Sequence, residues 1–152
     1  MVTTVGLQDD PIDLLNALIE LDYDAAEAYR AAIDRLEEPR YKEALSEFLE
    51  DHLRHTRDLS AVVSAVGGTP PDRPGAKSML TTGKVAVADL AGDSAILRAM
   101  LSNEGDTNIA YERATEHSQL PENARSLVAG NLTDERRHQA WLEQAISPPQ
   151  AA

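Results

Sequence analysis

Eight polar residues of this chain fall into two matching sets. Asp22, Tyr29, His52 and His55 form the first, and Glu104, Tyr111, Glu135 and His138 form the second. The second set follows the first at a nearly constant spacing of 82 or 83 residues (104 − 22 = 82; 138 − 55 = 83). Carboxylate oxygens and imidazole nitrogens are ligands for divalent cations such as iron, manganese and zinc. Buried together they are costly unless something binds or pairs them. The expected chemistry is therefore metal binding by Asp22, His52, His55, Glu104, Glu135 and His138.

Helices must position these residues, because their neighbours repeat every three or four positions. Asp10-Pro11 opens the first helix as N-cap and first helical residue. Its apolar stripe is Leu15, Leu18, Asp22, Ala25, Tyr29, Ala32 and Leu36. Pro39 ends it and starts the next. The second helix runs from about Arg40 to Val66, with a stripe through Leu45, Phe48, His52, His55, Leu59, Val63 and Val66. Gly67-Gly68 stops it. The stretch from Thr69 to Gly75 is irregular, and Ser78 to Leu90 has the pattern of a short helix. A third helix starts near Asp93-Ser94, either of which can cap it, and carries Leu97, Met100, Glu104, Asn108, Tyr111 and Ala114. Pro121 opens the fourth, whose stripe is Val128, Leu132, Glu135, His138, Leu142 and Ala145.

The pattern predicts an all-α fold: a four-helix bundle of two antiparallel hairpins joined by one long crossover. That crossover is long enough to let the third helix run parallel to the second. One domain is expected over residues 1–152, ordered from about 10 to 147 and frayed outside that span. Asp22, His52 and His55 lie about fourteen to seventeen residues from the first hairpin turn. At ~1.5 Å of rise per residue, this puts them at nearly one depth. Glu104 and Glu135 are equally far from the second turn. Residues three apart share a helix face, so Glu135-x-x-His138 and His52-x-x-His55 can each aim two ligands at one locus.

Composition narrows the alternatives. The net charge of −12 argues against a nucleic-acid or anionic-membrane surface. With no cysteine, thiolate zinc sites, iron–sulfur clusters and disulfides are excluded. No run approaches a membrane span, and the first ten residues lack a basic region followed by an apolar one. A soluble cytoplasmic protein is expected. Gly-rich phosphate loops, nucleophile elbows and zinc-protease motifs are absent.

Glu104, Glu135-x-x-His138 within Thr-Asp-Glu-Arg-Arg-His, and the two-hairpin plan resemble the ferritin-like superfamily over nearly all of residues 11–147. Its dinuclear members carry one Glu on each of two helices and Glu-x-x-His on the other two. Here Asp22 replaces one Glu, and His52 stands where a bridging Glu would be; alternatively Asp51 or Glu50 joins the set by a local twist. The runs Leu-Ile-Glu-Leu-Asp-Tyr-Asp-Ala-Ala-Glu-Ala-Tyr and Ile-Leu-Arg-Ala-Met-Leu-Ser-Asn-Glu look like an uncharacterised bacterial family of ferritin-like bundles.

The resemblance implies one or two iron ions, with manganese or zinc as substitutes. Asp22, His55, Glu104 and His138 would be terminal ligands, Glu135 a bridge, and His52 the second bridging position. It further implies Fe(II) oxidation or peroxide and oxygen handling of a ferroxidase or peroxidase type, and a homodimer. Tyr29 and Tyr111, two turns from Asp22 and Glu104, could hydrogen-bond the ligands.

The competing reading is a non-enzymatic helical scaffold or stress protein. Its acids and histidines would pair without metal, Asp22 with His55 and Glu104 with His138. An oxidase for an organic substrate would need an apolar channel that the sequence does not declare. Asp24, Glu27 and Asp106 fall off the stripes and are expected in solvent. His117 should favour a helix C-terminus, and Trp141 the edge of the core. Arg54, Arg57, Arg136 and Arg137 read as surface ion pairs of small value.

Overall fold

A computed structural model describes residues 3–75, 87 and 89–147. Among the described residues are the helices α1 (Pro11–Arg35), α2 (Pro39–Ala65), α3 (Asp93–Thr115) and α4 (Glu122–Ile146), and no strand. The Asp10 carboxylate caps α1, accepting from the Ile12 and Asp13 amides at 2.7 and 3.2 Å. Pro11 and Pro39 occupy first-turn positions that need no amide donor. Gly67, at φ +81°, turns the chain out of α2, and the Gly67 and Gly68 amides close on Ser64 and Val63 carbonyls.

α1 pairs with α2, and α3 with α4; α1 also packs on α3, and α2 on α4. The ends fix the directions. Asp93, at the start of α3, accepts from the Glu37 and Glu38 amides after α1. Arg113, near the end of α3, donates to Thr3 and Val5 carbonyls ahead of α1. α3 is thus antiparallel to α1 and parallel to α2, as the long crossover allows.

The expected stripe of α1 is buried throughout, from Leu15 to Leu36. So are Leu97, Met100, Tyr111 and Ala114 of α3, and Val128, Leu132 and Leu142 of α4. Two stripe residues differ: Val66 is 56% exposed just past the end of α2, and Ala145 is only half-buried.

Several expectations are corrected. α1 buries a second stripe, Leu14, Ala17, Leu21, Asp24 and Ala28, and α3 buries Ile96, Asn103, Asp106 and Ala110. Asp24 and Asp106 are therefore inside rather than in solvent, and Glu27 is half-buried. One inward stripe per helix was too few for these two, which are covered on two faces. Asp93 does not cap α3 through its side chain, because that carboxylate is spent on the α1–α2 turn; Gly92 holds the cap position at φ +92°. Residues before Asp10 do not fray from Thr3 onward. Val5 joins the core, and His117 holds this segment by facing the Gln8 and Asp9 carbonyls at 3.1 and 2.9 Å. Gly6 makes the approach possible: its φ is +97°, and a Cβ there would lie 2.6 Å from Arg113 Cβ.

Most of the short helix expected over 78–90, and the tail after Ser147, lie outside the described residues; Val87 is buried in the core. No described helix is long and apolar enough to cross a membrane.

Candidate metal centre

Halfway along the bundle the inward stripes turn polar. Asp22 on α1, His52 and His55 on α2, Glu104 on α3, and Glu135 and His138 on α4 all meet there, each at most 1% exposed. All six predicted ligand residues are brought together. They form two overlapping groups: Asp22, His52, His55 and Glu135, and His52, Glu104, Glu135 and His138. Each group offers four ligand-type atoms within 4.8 Å of one another. His52 and Glu135 belong to both.

The tyrosines are bound crosswise. Tyr29 on α1 donates to Glu104 on α3, and Tyr111 on α3 donates to Asp22 on α1. This crossing follows from the antiparallel α1–α3 pair, which sets the start of one polar segment beside the end of the other. Burial, then the facing carboxylates, push both phenols well above their ordinary pKa, so they remain donors. Thr107 Oγ1 donates to the other Glu104 oxygen at 3.0 Å. Asn108 ties the Glu104 and Glu135 carbonyls, and so spans α3 and α4.

The outer edges of two histidines carry a feature that sequence reading missed. His138 Nε2 lies 2.8 Å from Asp51 Oδ2, and His55 Nε2 lies 3.0 Å from Asp134 Oδ2. A ring proton shared with these carboxylates leaves each Nδ1 facing the centre. Arg54 and Arg137 knit the two aspartates together. Arg54 donates to Asp51 at 2.9 Å and to Asp134; Arg137 donates to Asp51 at 2.6 Å and to Asp134 at 3.3 Å. Arg54 and Arg137 are exposed and ion-paired, as expected, and their partners are the aspartates behind the histidines; Arg57 is exposed and Arg136 reaches Glu112 at 3.7 Å. A signal existed: Asp51-His-Leu-Arg54-His55 and Asp134-Glu-Arg-Arg137-His138 repeat at the same 83-residue spacing (134 − 51 = 83).

Charge is nearly balanced by proximity. Burial alone would push the imidazoles down, yet the carboxylates around them win. His52 is pushed up to about 9 by Glu135, Asp22 and Glu104. His55 is pushed up to about 12 by Asp22 and Asp134, and His138 to about 11 by Asp51 and Glu104. Burial would raise Asp22 and Glu104, but the same histidines hold Asp22 below, and Glu104 well below, the usual carboxylate range.

Glu135 is different. Both of its oxygens are buried and neither has a hydrogen bond, although Oε1 lies 3.2 Å from His55 Nδ1. His138 Nδ1 is likewise without a hydrogen bond. Aromatic rings wall this side: Phe48 lies 4.3 Å from the His138 ring, Trp141 5.6 Å from Phe48, and Tyr41 5.9 Å from Trp141. Trp141 is half-buried, at the core edge as expected.

The fold has solved counterparts. A conserved hypothetical protein of Mycobacterium tuberculosis superposes with a TM-score of 0.73 at 17% identity, over 93% of this chain and 96% of the other. A ferritin-like, diiron-carboxylate protein of Bacillus anthracis gives 0.69 at 20% identity, over 90% and 95%. A dodecameric thioferritin, the bacterioferritin-related protein of Bacteroides fragilis, gives 0.74 at 17%, over 88% and 82%. These likenesses establish the ferritin-like four-helix-bundle fold. No curated protein matches the chain. A family model described as a domain of unknown function (DUF2383) matches residues 10–117, from the cap of α1 to just past α3. The chain belongs to that family of unknown function.

Proposed function

We propose that this protein binds divalent metal, iron first and manganese or zinc as substitutes, in the centre formed by Asp22, His52, His55, Glu104, Glu135 and His138. The observation that carries the reading is Glu135, a fully buried carboxylate with no hydrogen bond on either oxygen, beside His138 Nδ1 in the same condition. Buried polar atoms are almost always hydrogen-bonded, and a buried carboxylate that meets its histidines only at 3.2–3.5 Å, with no hydrogen bond, is expensive. Those atoms face the middle of a ligand set that suits iron, manganese or zinc in its mixture of nitrogen and oxygen. The outer Asp51 and Asp134 add support, since metal-binding histidines commonly give their second ring nitrogen to a carboxylate.

In this reading Asp22 and His55 hold one side, Glu104 and His138 the other, and Glu135 and His52 lie between. Iron bound there would supply one-electron redox chemistry for Fe(II) oxidation or for handling oxygen or peroxide. Tyr29 and Tyr111 keep the Glu104 and Asp22 carboxylates oriented and ionised. Phe48 and the aromatic rings behind it keep water from the His138 side. The ferritin-like, diiron-carboxylate description of the Bacillus anthracis structure agrees with this reading. A homodimer in the cytoplasm completes the proposal, to be checked by sedimentation.

The test is metal analysis of tag-free protein after anaerobic loading with Fe(II), Mn(II) or Zn(II) and desalting. At least one equivalent per chain is expected. Content at the level of a buffer blank for all three metals would refute the reading.

One specific observation favours the second reading, a metal-free scaffold. Asp22 and Glu104 have a full complement of hydrogen-bond partners, and three raised imidazoles stand against three buried carboxylates. Glu135 distinguishes the two, because that network gives it no hydrogen bond.

A further inference from the structure

His52 presents its two ring nitrogens to different sides of the centre. Nδ1 lies 2.7 Å from Asp22 Oδ1 and 3.5 Å from Glu135 Oε1. Nε2, on the opposite edge of the ring, lies 3.3 Å from Glu104 Oε1. Glu135 is divided in the same way: Oε1 is 3.2 Å from His55 Nδ1, and Oε2 is 3.5 Å from His138 Nδ1. The eight atoms therefore sort into two shells. Asp22 Oδ1, His52 Nδ1, His55 Nδ1 and Glu135 Oε1 make one; Glu104 Oε1, His52 Nε2, His138 Nδ1 and Glu135 Oε2 make the other.

The N···O contacts in each shell are short enough for its atoms to share one ion. With bonds of about 2.0–2.1 Å, tetrahedral ligands stand roughly 3.3 Å apart. The contacts within the first shell run from 2.7 to 3.5 Å, and those within the second from 3.3 to 3.5 Å. His52 differs from His55 and His138 in one decisive respect. Their Nε2 atoms are taken by Asp134 and Asp51, so each can give only one nitrogen to the centre. Both nitrogens of His52 face ligand carboxylates of the centre.

We propose that His52 binds two divalent ions at once, as an imidazolate bridge through Nδ1 and Nε2, with the Glu135 carboxylate bridging alongside. The inference rests on the metal-binding reading above. Binding the second ion displaces the remaining ring N–H proton of His52, which leaves to solvent; no oxidation state changes. The bridge also settles the charge. Three carboxylates leave two divalent ions with one uncompensated positive charge, and the imidazolate supplies the missing negative one. A histidine at this position thus keeps the centre dinuclear where a bridging glutamate would otherwise be needed.

The test uses Cu(II) as a spin probe and Zn(II) as a silent one, on the full chain stripped of metal. Two Cu(II) ions per chain are expected. The low-temperature electron paramagnetic resonance signal should grow with the first equivalent and shrink with the second, as the bridged spins couple. His52→Gln should give a signal proportional to all the copper it binds. With Zn(II) and ring-15N histidine, both His52 nitrogens should shift to metal-bound positions with no ring N–H. That measurement decides the question even if the variant fails to fold.

No binding of copper or zinc would sink the metal reading and the bridge with it. One ion per chain, two fully counted spins, coupling that persists in folded His52→Gln, or a retained His52 ring N–H would overturn the bridge while leaving metal binding intact.

Discussion

Tyr111 reaches from α3 to Asp22 on α1 and donates its hydroxyl proton to the carboxylate oxygen that His52 and His55 leave free. Tyr29 crosses in the opposite direction and donates to Glu104, on the same oxygen that His52 Nε2 faces. The centre is thus tied together across α1 and α3 by two phenols as well as by its own carboxylates and imidazoles. Tyr111→Phe removes one hydrogen bond to a buried charged group, which costs about 1.5–3 kcal/mol. Urea unfolding of metal-free protein should show that loss for Tyr111→Phe, and a similar one for Tyr29→Phe. An unchanged midpoint in both would mean that these bonds contribute nothing to the fold.

Asp51 and Asp134 act on the centre without entering it. Removing the outer partner of a metal-binding histidine lowers affinity by about 10–100-fold. Asp51→Ala and Asp134→Ala should each do so in competition with a chelating dye. Arg57→Ala, at an exposed position on α2, should leave affinity unchanged. Equal affinity in all three variants would remove the carboxylates from the account.

Glu135→Gln tests the two functional readings against each other. Metal binding predicts a large loss of bound ion, because Glu135 belongs to both candidate ligand groups. A metal-free scaffold predicts destabilisation, because one of three carboxylates facing the imidazoles would be neutral. Parallel metal analysis and thermal unfolding read both quantities on the same sample.

Stability should depend on pH in a direction that bound metal reverses. His52, His55 and His138 have folded pKa values raised from 6.5 to about 9, 12 and 11. Their contribution is complete below about pH 6.5 and is lost as pH rises through the folded values. The lowered pKa values of Asp22 and Glu104 contribute above 3.8 and 4.5 and lose that contribution as pH falls through the folded values. Metal-free protein should therefore melt at lower temperature at pH 9 than at pH 6. Metal binding must displace protons from the imidazoles, so apparent affinity should rise over the same interval. A metal-free melting temperature that climbs from pH 6 to 9 would contradict the raised imidazoles.

The six ligand candidates were legible because each interrupts an apolar stripe, and a polar residue in such a row is costly enough to be noticed. The contacts of Asp51 and Asp134 with the outer histidine nitrogens were not, since both stand beside the stripe; Asp51 was weighed only as a further ligand, and the observed role depends on facing helices that a single-helix pattern does not contain. Asp24 and Asp106 were misplaced for a related reason. Alanine-rich α1 accommodates two buried rows, and a small residue reads equally well inside or outside. The ordering of Thr3–Asp10 comes from Arg113 and His117, more than a hundred residues away, and local periodicity carries no trace of it.

Asp93 lies eleven residues before Glu104 (104 − 93 = 11) and touches no ligand, yet it holds the first turn of α3 to the loop between α1 and α2. Sliding α3 by one residue would shift Glu104 by ~1.5 Å along the axis and turn it by roughly 100°. The single carboxylate at the bundle's end therefore works as an index pin. It sets the vernier between the two hairpins, on which the alignment of both halves of the centre depends.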